Sequence, residues 1–350
     1  MRIGIVNDMP LAVVALKRAL MLNPAYDVVW VASNGIEAVE HCTKLTPDLV
    51  LMDLVMPKMN GVEATRRIMA TCPCPILIVT VSVGSNAWRV FEAMGHGALD
   101  AVDTPALGRG DPKEGAAPLL NKIEVLRKLV RDRGPTLATT NPPFKPFSRF
   151  STPTLVAIGA SAGGPAALAT LLAALPADFP AAIVVVQHVD VQFAEGMAQW
   201  LDRDAKLNVK VAVEGDRPVP GQVHLAGSND HLVMHADGTL GYTEHPKDYV
   251  YRPSVDVFMQ TLTQHWTRGI IGVLLTGMGR DGALGLRALR NQGCHTIAQD
   301  QATSAVYGMP KAAAQLDAAV DILPLPAIAP QLVSLTKPGW SHHAPISPAP

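Results

Sequence analysis

Five short runs in the first 105 residues are too uniformly apolar to leave one face in water: Ile3–Val6, Val28–Val31, Leu49–Asp53, Ile76–Val81 and Leu99–Val102. A strand that is apolar on both sides must be covered on both sides, which suits a buried parallel sheet. Parallel neighbours cannot be joined by tight turns, so helices must cross between them. The intervening stretches carry that periodicity: Met9, Val13, Leu16 and Leu20 fall on one stripe, and Ala87, Val90, Phe91 and Met94 on another. The alternation predicts an α/β domain of five parallel strands with helices on both faces. It resumes at Leu155–Gly159 and continues through Ile183–Gln187, Val209–Val213, Ile270–Thr276 and His295–Ala298. Helical patterns at Pro165–Leu175 and Ser254–Trp266 complete a second, doubly wound α/β domain.

Between the two the composition changes. Gly108–Gly115 reads as a loop, Leu119–Val130 as a short helix, and Gly134–Ser148, rich in Pro, Thr and Asn, as a semi-extended linker. The expected organisation is a first domain over 1–105, a linker with a short helix over 106–150, a second domain over 151–336, and a disordered Pro-rich tail over 337–350. A formal net charge of −1 over 350 residues offers no electrostatic footprint for nucleic acid or anionic membrane. A DNA-binding regulator would need a basic helix-turn-helix after the linker, where a neutral βα pattern stands. No basic leader precedes the first strand, and no apolar run approaches the roughly 18 residues of a membrane span. A soluble cytoplasmic protein is therefore expected. Cys72-Pro73-Cys74-Pro75 lacks a second half, so reduced packing thiols rather than a metal knuckle are expected.

In open parallel sheets, ligands collect beyond the carboxyl ends of the strands. Asp8 lies just after the first strand, Asp53 at the end of the third and Thr80 near the end of the fourth. Either aspartate alone would read as a helix or turn cap. Together they make a hard-oxygen site suited to Mg²⁺ and phosphate oxygens. With Asp53-Leu-Val-Met-Pro-Lys-Met-Asn-Gly61 they resemble the response-regulator receiver family. The resemblance implies a flavodoxin-like domain with Asp53 as phosphoacceptor, Asp8, Asp53 and the Val55 carbonyl as holders of Mg²⁺, and Thr80 as the hydroxyl that moves on activation. Two positions depart from the receiver pattern. Asn7 stands where a second acid is usual, and Thr104 where a lysine precedes Pro105, so a charge-assisted hydrogen bond to an aspartyl phosphate is missing.

Leu155-Val-Ala-Ile-Gly159-Ala-Ser161-Ala-Gly163-Gly-Pro165 is a strand, a glycine-flanked serine and a helix start, matching the turn that lifts a nucleophile above a sheet. Such glycine-rich turns also bind phosphates, or simply turn. A serine needs a base and a group to orient that base. His188 follows the next strand, and Asp281 lies in the turn Thr276-Gly-Met-Gly-Arg-Asp-Gly282 after a later one. Alone, His188 would read as a loop residue and Asp281 as an N-cap. The backbone N–H of Met278 is a candidate oxyanion donor.

Gly159–Gly164, Gln187-His188, Arg252-Pro-Ser-Val-Asp256, Leu275–Gly282 and Gly308-Met-Pro310 together resemble the chemotaxis methylesterase (CheB) family, in order and spacing. The resemblance implies a receiver domain controlling a serine hydrolase that removes methyl esters from receptor glutamates and deamidates certain glutamines. It implies Ser161 as nucleophile, His188 as base and acid, and Asp281 as orienting carboxylate, with no cofactor for the esterase. It also implies a methyl-accepting chemoreceptor as substrate and a chemotaxis-type histidine kinase as phosphodonor. Arg252–Asp256 carries no evident chemistry beyond a helix start after Pro253 with Asp256 in its first turn, the alternative being a place lining the substrate cleft. Met1–Pro10 and Phe91–Pro105 look most like the branch serving surface-sensing, Wsp-type pathways with cyclic-di-GMP output. The departures at Asn7 and Thr104 leave a competing expectation, a catalytically weak binding module or phosphate sink.

Overall fold

The computed structural model describes residues 1–81, 87–105, 112–131, 155–247, 249 and 251–337. The chain forms two compact units, Met1–Leu137 and Ala138–Pro350.

In the first unit, β1 (Arg2–Val6), β2 (Asp27–Ala32), β3 (Leu49–Met52), β4 (Ile76–Thr80) and β5 (Asp100–Asp103) form one five-stranded sheet in the order β2-β1-β3-β4-β5. Every pairing is parallel. The crossovers are α1 (Pro10–Leu20), α2 (Gly35–Lys44), α3 (Gly61–Thr71) and α4 (Ala87–Gly95), followed by α5 (Pro112–Arg131). The reversal of strand order lies between β1 and β3, so the crevice there is where a ligand is expected. Helix starts are set locally: the Asn34 side chain accepts from the N–H groups of Ile36 and Glu37, and that of Asn60 from Glu63.

Two expectations change here. Met9 does not share the buried stripe of α1: it is the N-cap residue and 47% exposed, while Ala12, Ala15, Leu16, Ala19 and Leu20 are buried. The short helix expected from Leu119 begins instead at Pro112 and runs for 20 residues through Pro118. Proline lacks a backbone donor, which suits a helix start and costs about 3 kcal/mol inside a helix. Ala116, Leu119, Ile123 and Leu126, at helical spacing, are buried in the same core as Ile3, Leu16 and Leu51. Burial of the three larger side chains, at about 1.5–3 kcal/mol each, exceeds that cost. Lys122 also pairs with Asp100, and the Tyr26 hydroxyl bonds Glu124. This helix therefore belongs to the first unit. The linker expected over Gly134–Ser148 and the tail beyond Lys337 lie outside the described residues.

The second unit holds a seven-stranded, all-parallel sheet. Its strands are β6 (Leu155–Ala160), β7 (Ala182–Gln187), β8 (Asn208–Val211), β9 (Gln222–Leu225), β12 (Ile270–Leu274), β13 (His295–Gln299) and β14 (Asp321–Leu323). An antiparallel hairpin, β10 (His231–Met234) with β11 (Leu240–Thr243), stands apart from it. The helices are α6 (Gly164–Ala174), α7 (Val191–Asp204), α8 (Val255–His265), α9 (Ala283–Asn291), α10 (Met309–Gln315) and α11 (Leu325–Thr336). β9, β10, β11 and β14 were not anticipated. They are three or four residues long, and β9 and β10 each include a histidine, so no apolar run announces them. Sheet order β14-β13-β12-β6-β7-β9-β8 places the topological reversal at β6, flanked by β12 and β7.

Candidate active site

The three sequence-predicted residues of the second unit follow those three neighbouring strands. Ser161 comes directly after β6, His188 directly after β7, and Asp281 in the turn after β12. The serine turn is held by its backbone: Ser161 N–H donates to Thr276 O at 3.0 Å, and Gly164 N–H to Ser161 O at 2.7 Å. Gly163 has φ +73°, left-handed backbone that a side chain would strain, and a Cβ there would lie 2.6 Å from Ala305 Cβ. Ser161 stays partly exposed at the mouth of this turn.

Asp281 does not cap its own helix, since Gly282 is the N-cap residue of α9. Its carboxylate sits instead at the start of α8. Oδ1 accepts from Ser254 Oγ at 2.7 Å and Asp256 N–H at 3.2 Å, while Oδ2 accepts from Val255 N–H at 2.7 Å. Asp256 returns the arrangement, accepting from Gly285 N–H in the first turn of α9 at 2.6 Å. Each helix thus has its N-terminal donors satisfied by the other's aspartate. Burial pushes the Asp281 carboxyl up, but the hydrogen bond and charge of His188 and the donors Ser254 and Val255 outweigh it, leaving it below its ordinary range. Asp256 behaves oppositely: burial, then the charge of Asp281, push it up to about 6.

His188 Nε2 lies 2.7 Å from Asp281 Oδ2, the remaining donor on that carboxylate. Nδ1 is buried and has no hydrogen-bond partner among the described residues. Tyr251 stacks on the ring, with centroids 4.3 Å apart and planes 7° from parallel. The Gly277–Met278 peptide runs beside the serine: a Cβ on Gly277 would fall 2.9 Å from Ser161 Cβ and 2.2 Å from Met309 Sδ. Met278 N–H has no acceptor among the described residues. Around this centre, Gln187 Nε2 donates to the carbonyls of both Ser161 and His188, at 2.9 and 3.2 Å. Thr276 Oγ1 donates to Ala162 O at 3.0 Å. A serine, a partnered histidine with one nitrogen left over, and a peptide N–H without an acceptor among the described residues are the parts of an acyl-transfer site. Sequence reasoning had no role for Ser254, Gln187 or Tyr251. The first two lie inside motifs that drew attention for other residues.

In the first unit, Asp53 is buried and stands across the β1/β3 crevice from Asn7. Its Oδ2 accepts from Asn7 Nδ2 at 3.1 Å and its Oδ1 from Leu54 N–H at 2.7 Å. Burial pushes its carboxyl up to about 6 against the N–H groups of Leu54 and Val55, with the charge of Asp8 adding to the rise. Asp8 and Val55 are exposed at the same mouth, and Thr80 is buried at the end of β4. Gly61 closes the loop so tightly that a Cβ would sit 2.0 Å from Asp53 O. Thr104 N–H donates to Thr80 O, and Thr104 Oγ1 is buried without a partner among the described residues. Among those residues no three His, Cys, Asp or Glu side chains converge as a metal cage. Two carboxylates and a carbonyl of hard oxygen, the buried carboxyl paired with no cation among the described residues, fit a largely hydrated Mg²⁺. The four cysteines are free, and no described helix is long and apolar enough to cross a membrane.

Residues 3–106 match the response regulator receiver domain family and residues 156–332 the CheB methylesterase family. A protein-glutamate methylesterase/protein-glutamine glutaminase of Pseudomonas syringae pv. syringae is 61% identical over 336 residues, covering 96% of this chain and 99% of that protein. One from a group 3 operon of Pseudomonas putida is 61% identical over 333 residues, covering 95% and 98%. The crystal structure of the Thermotoga maritima CheB methylesterase catalytic domain superposes with a TM-score of 0.51 at 36% identity, covering 52% of this chain and 98% of that one. The chain belongs to the CheB family of protein-glutamate methylesterases and glutaminases, with a response-regulator receiver joined to the hydrolase.

Proposed function

We propose that Ser161, His188 and Asp281 form the catalytic triad of a phosphorylation-controlled esterase acting on methylated glutamates of chemoreceptors. The observation that carries this reading is the 2.7 Å bond from His188 Nε2 to a carboxylate fixed at a helix start, with Nδ1 left without a partner among the described residues. With Nε2–H committed to Asp281, Nδ1 takes the proton of the Ser161 hydroxyl as Oγ attacks the γ-ester carbonyl. The oxyanion is met by Met278 N–H. His188 returns the proton to the departing methoxide, giving methanol and a glutamyl-serine ester. Water, deprotonated by the same nitrogen, then attacks that ester, and the proton passes to Ser161 Oγ as the glutamate leaves. Replacing methanol by ammonia as leaving group gives deamidation of glutamine. The methyl group offers little to grip, so selectivity resides in the docked receptor helix.

Control resides in the first unit. Asp53 accepts the phosphoryl group from a chemotaxis-type histidine kinase, with Asp8, Asp53 and the Val55 carbonyl holding Mg²⁺ and Thr80 reporting the change. When bound, Mg²⁺ offsets the negative charge gathering at Asp53. Asn7 supplies a neutral donor where a second acid would add charge, and Thr104 offers no cation to the phosphate. The protein acts in the cytoplasm. The match of Met1–Pro10 and Phe91–Pro105 favours a receptor of a Wsp-type, cyclic-di-GMP-controlling pathway.

The test is methanol release from methyl-labelled receptor by wild type and Ser161→Ala, with and without a small-molecule phosphoryl donor and Mg²⁺. Release that needs Ser161 and rises with the donor is expected. Release that needs Ser161 but ignores the donor removes the control by Asp53. No release above the Ser161→Ala background leaves a binding module.

A further inference from the structure

We propose that Ser254 is a positioning residue of the esterase, aiming Asp281 at His188, and that the buried imidazole of His231 fixes Ser254 in turn. The inference rests on the reading of Ser161, His188 and Asp281 as the triad.

A carboxylate turns easily about its last torsion, which is broad for aspartate. A single bond to His188 would not hold its plane. Here each oxygen has two donors, and Ser254 supplies the only hydroxyl among them, at 2.7 Å on Oδ1. Ser254 is fully buried and precedes α8. Its Oγ also accepts from Val257 N–H at 3.3 Å, so its one proton is left for Asp281. The bond therefore joins helix capping to the orientation of the catalytic carboxylate.

Ser254 is itself held from outside its helix. Its N–H donates to His231 Nδ1 at 3.2 Å, and His231 Nε2 lies 3.0 Å from Pro246 O. Accepting on Nδ1 requires that nitrogen to carry no proton, so Nε2 carries it and donates to the carbonyl. His231 opens β10, is 0% exposed and meets the Tyr249 ring edge-on at 5.9 Å. A hydrogen-bonded chain thus runs from the Pro246 carbonyl through the buried His231, Ser254 and Asp281 to the half-buried His188. It gives the hairpin of β10 and β11, which lies outside the main sheet, a task in the reaction. It also accounts for the serine in the Arg252–Asp256 string, which carries no chemistry of its own.

The test uses the full-length chain and methyl-labelled receptor, with active sites counted by exhaustive labelling with a fluorophosphonate. Ser254→Ala is expected to lower kcat per labelled site about 10- to 100-fold, the range for one charge-assisted bond, with KM unchanged. Ser254→Thr, which keeps the hydroxyl, is expected to recover most of the rate. A purely structural role for Ser254 would reduce the number of labelled sites and leave kcat per site alone, which overturns the proposal. If Ser254→Ala does not fold, the near-isosteric Ser254→Cys, a weak donor, carries the same comparison. Ser161→Ala separates the two levels of the argument. If it abolishes turnover while Ser254→Ala keeps kcat within about threefold of wild type, a change too small for a lost charge-assisted bond, only the positioning role fails. If Ser161→Ala keeps turnover, the triad fails and this inference with it.

Discussion

Asp281→Asn preserves side-chain volume while exchanging one acceptor oxygen for a donor. In the native pocket Oδ1 receives Ser254 Oγ and Asp256 N–H, and Oδ2 receives His188 Nε2 and Val255 N–H. An amide with its nitrogen at Oδ1 opposes the N–H of Asp256. With its nitrogen at Oδ2 it opposes the N–H of Val255 and makes His188 accept on Nε2, which moves the ring proton to Nδ1. Either orientation strands one backbone donor at about 1–3 kcal/mol and weakens a charge-assisted bond of similar worth, so a loss of about 2–5 kcal/mol in stability is expected. The second orientation leaves His188 in the wrong tautomer, an effect of about 10⁴-fold in kcat when a triad aspartate is so replaced. That corresponds to about 5.5 kcal/mol at 1.36 kcal/mol per decade. The assays are methanol release per fluorophosphonate-labelled site and urea unfolding. A kcat above about a tenth of wild type would refute the displaced tautomer and leave the amide oxygen on His188, and only together with an unchanged urea midpoint would it refute the triad geometry. An unchanged urea midpoint would refute the convergence of donors on this carboxylate.

Gly61→Ala must push a methyl group into Asp53 O, 2.0 Å from its ideal position and part of the backbone, so the loop cannot yield cheaply. A loss of about 2 kcal/mol or more in receiver stability is expected, together with slower phosphorylation by a small-molecule donor. Ile123→Ala empties a fully buried position on α5 and should cost about 2–4 kcal/mol, measured by urea unfolding. A surface linker helix would lose almost nothing. Asp256→Asn tests the carboxyl raised from 3.8 to about 6. A buried acid whose folded pKa is raised weakens the fold above that pKa, and the penalty fades as pH falls from about 6 toward 4. The variant should therefore be more stable than wild type at pH 8, by at most about 3 kcal/mol, with the advantage vanishing near pH 4. An advantage that grows on acidification would show the opposite sign of shift.

Much of the architecture is legible in the residues because buried parallel strands announce themselves. β1, β3, β4, β6 and β7 are apolar on both faces. Local chemistry also marks where chemistry can occur: a glycine-flanked serine after one strand, a histidine after the next, and acids after the first and third. The elements that escape are those whose burial is not written into their own composition. β9 and β10 include the fully buried His224 and His231, and α5 runs through a proline that local propensity would place at its start.

The sequence by itself determined that the chain makes two α/β units and which residues stand at the carboxyl ends of their strands, because periodicity and turn chemistry are local properties. Only the tertiary structure decided that β12, β6 and β7 are neighbours, so that residues 161, 188 and 281 share one crevice. It alone decided that Asp281 caps α8 rather than α9, and that Ser254 and His231 stand behind it. Those partners lie more than twenty residues apart along the chain. Their pairing comes from the packing of α8 against α9, which leaves each helix start needing an acceptor that the other supplies.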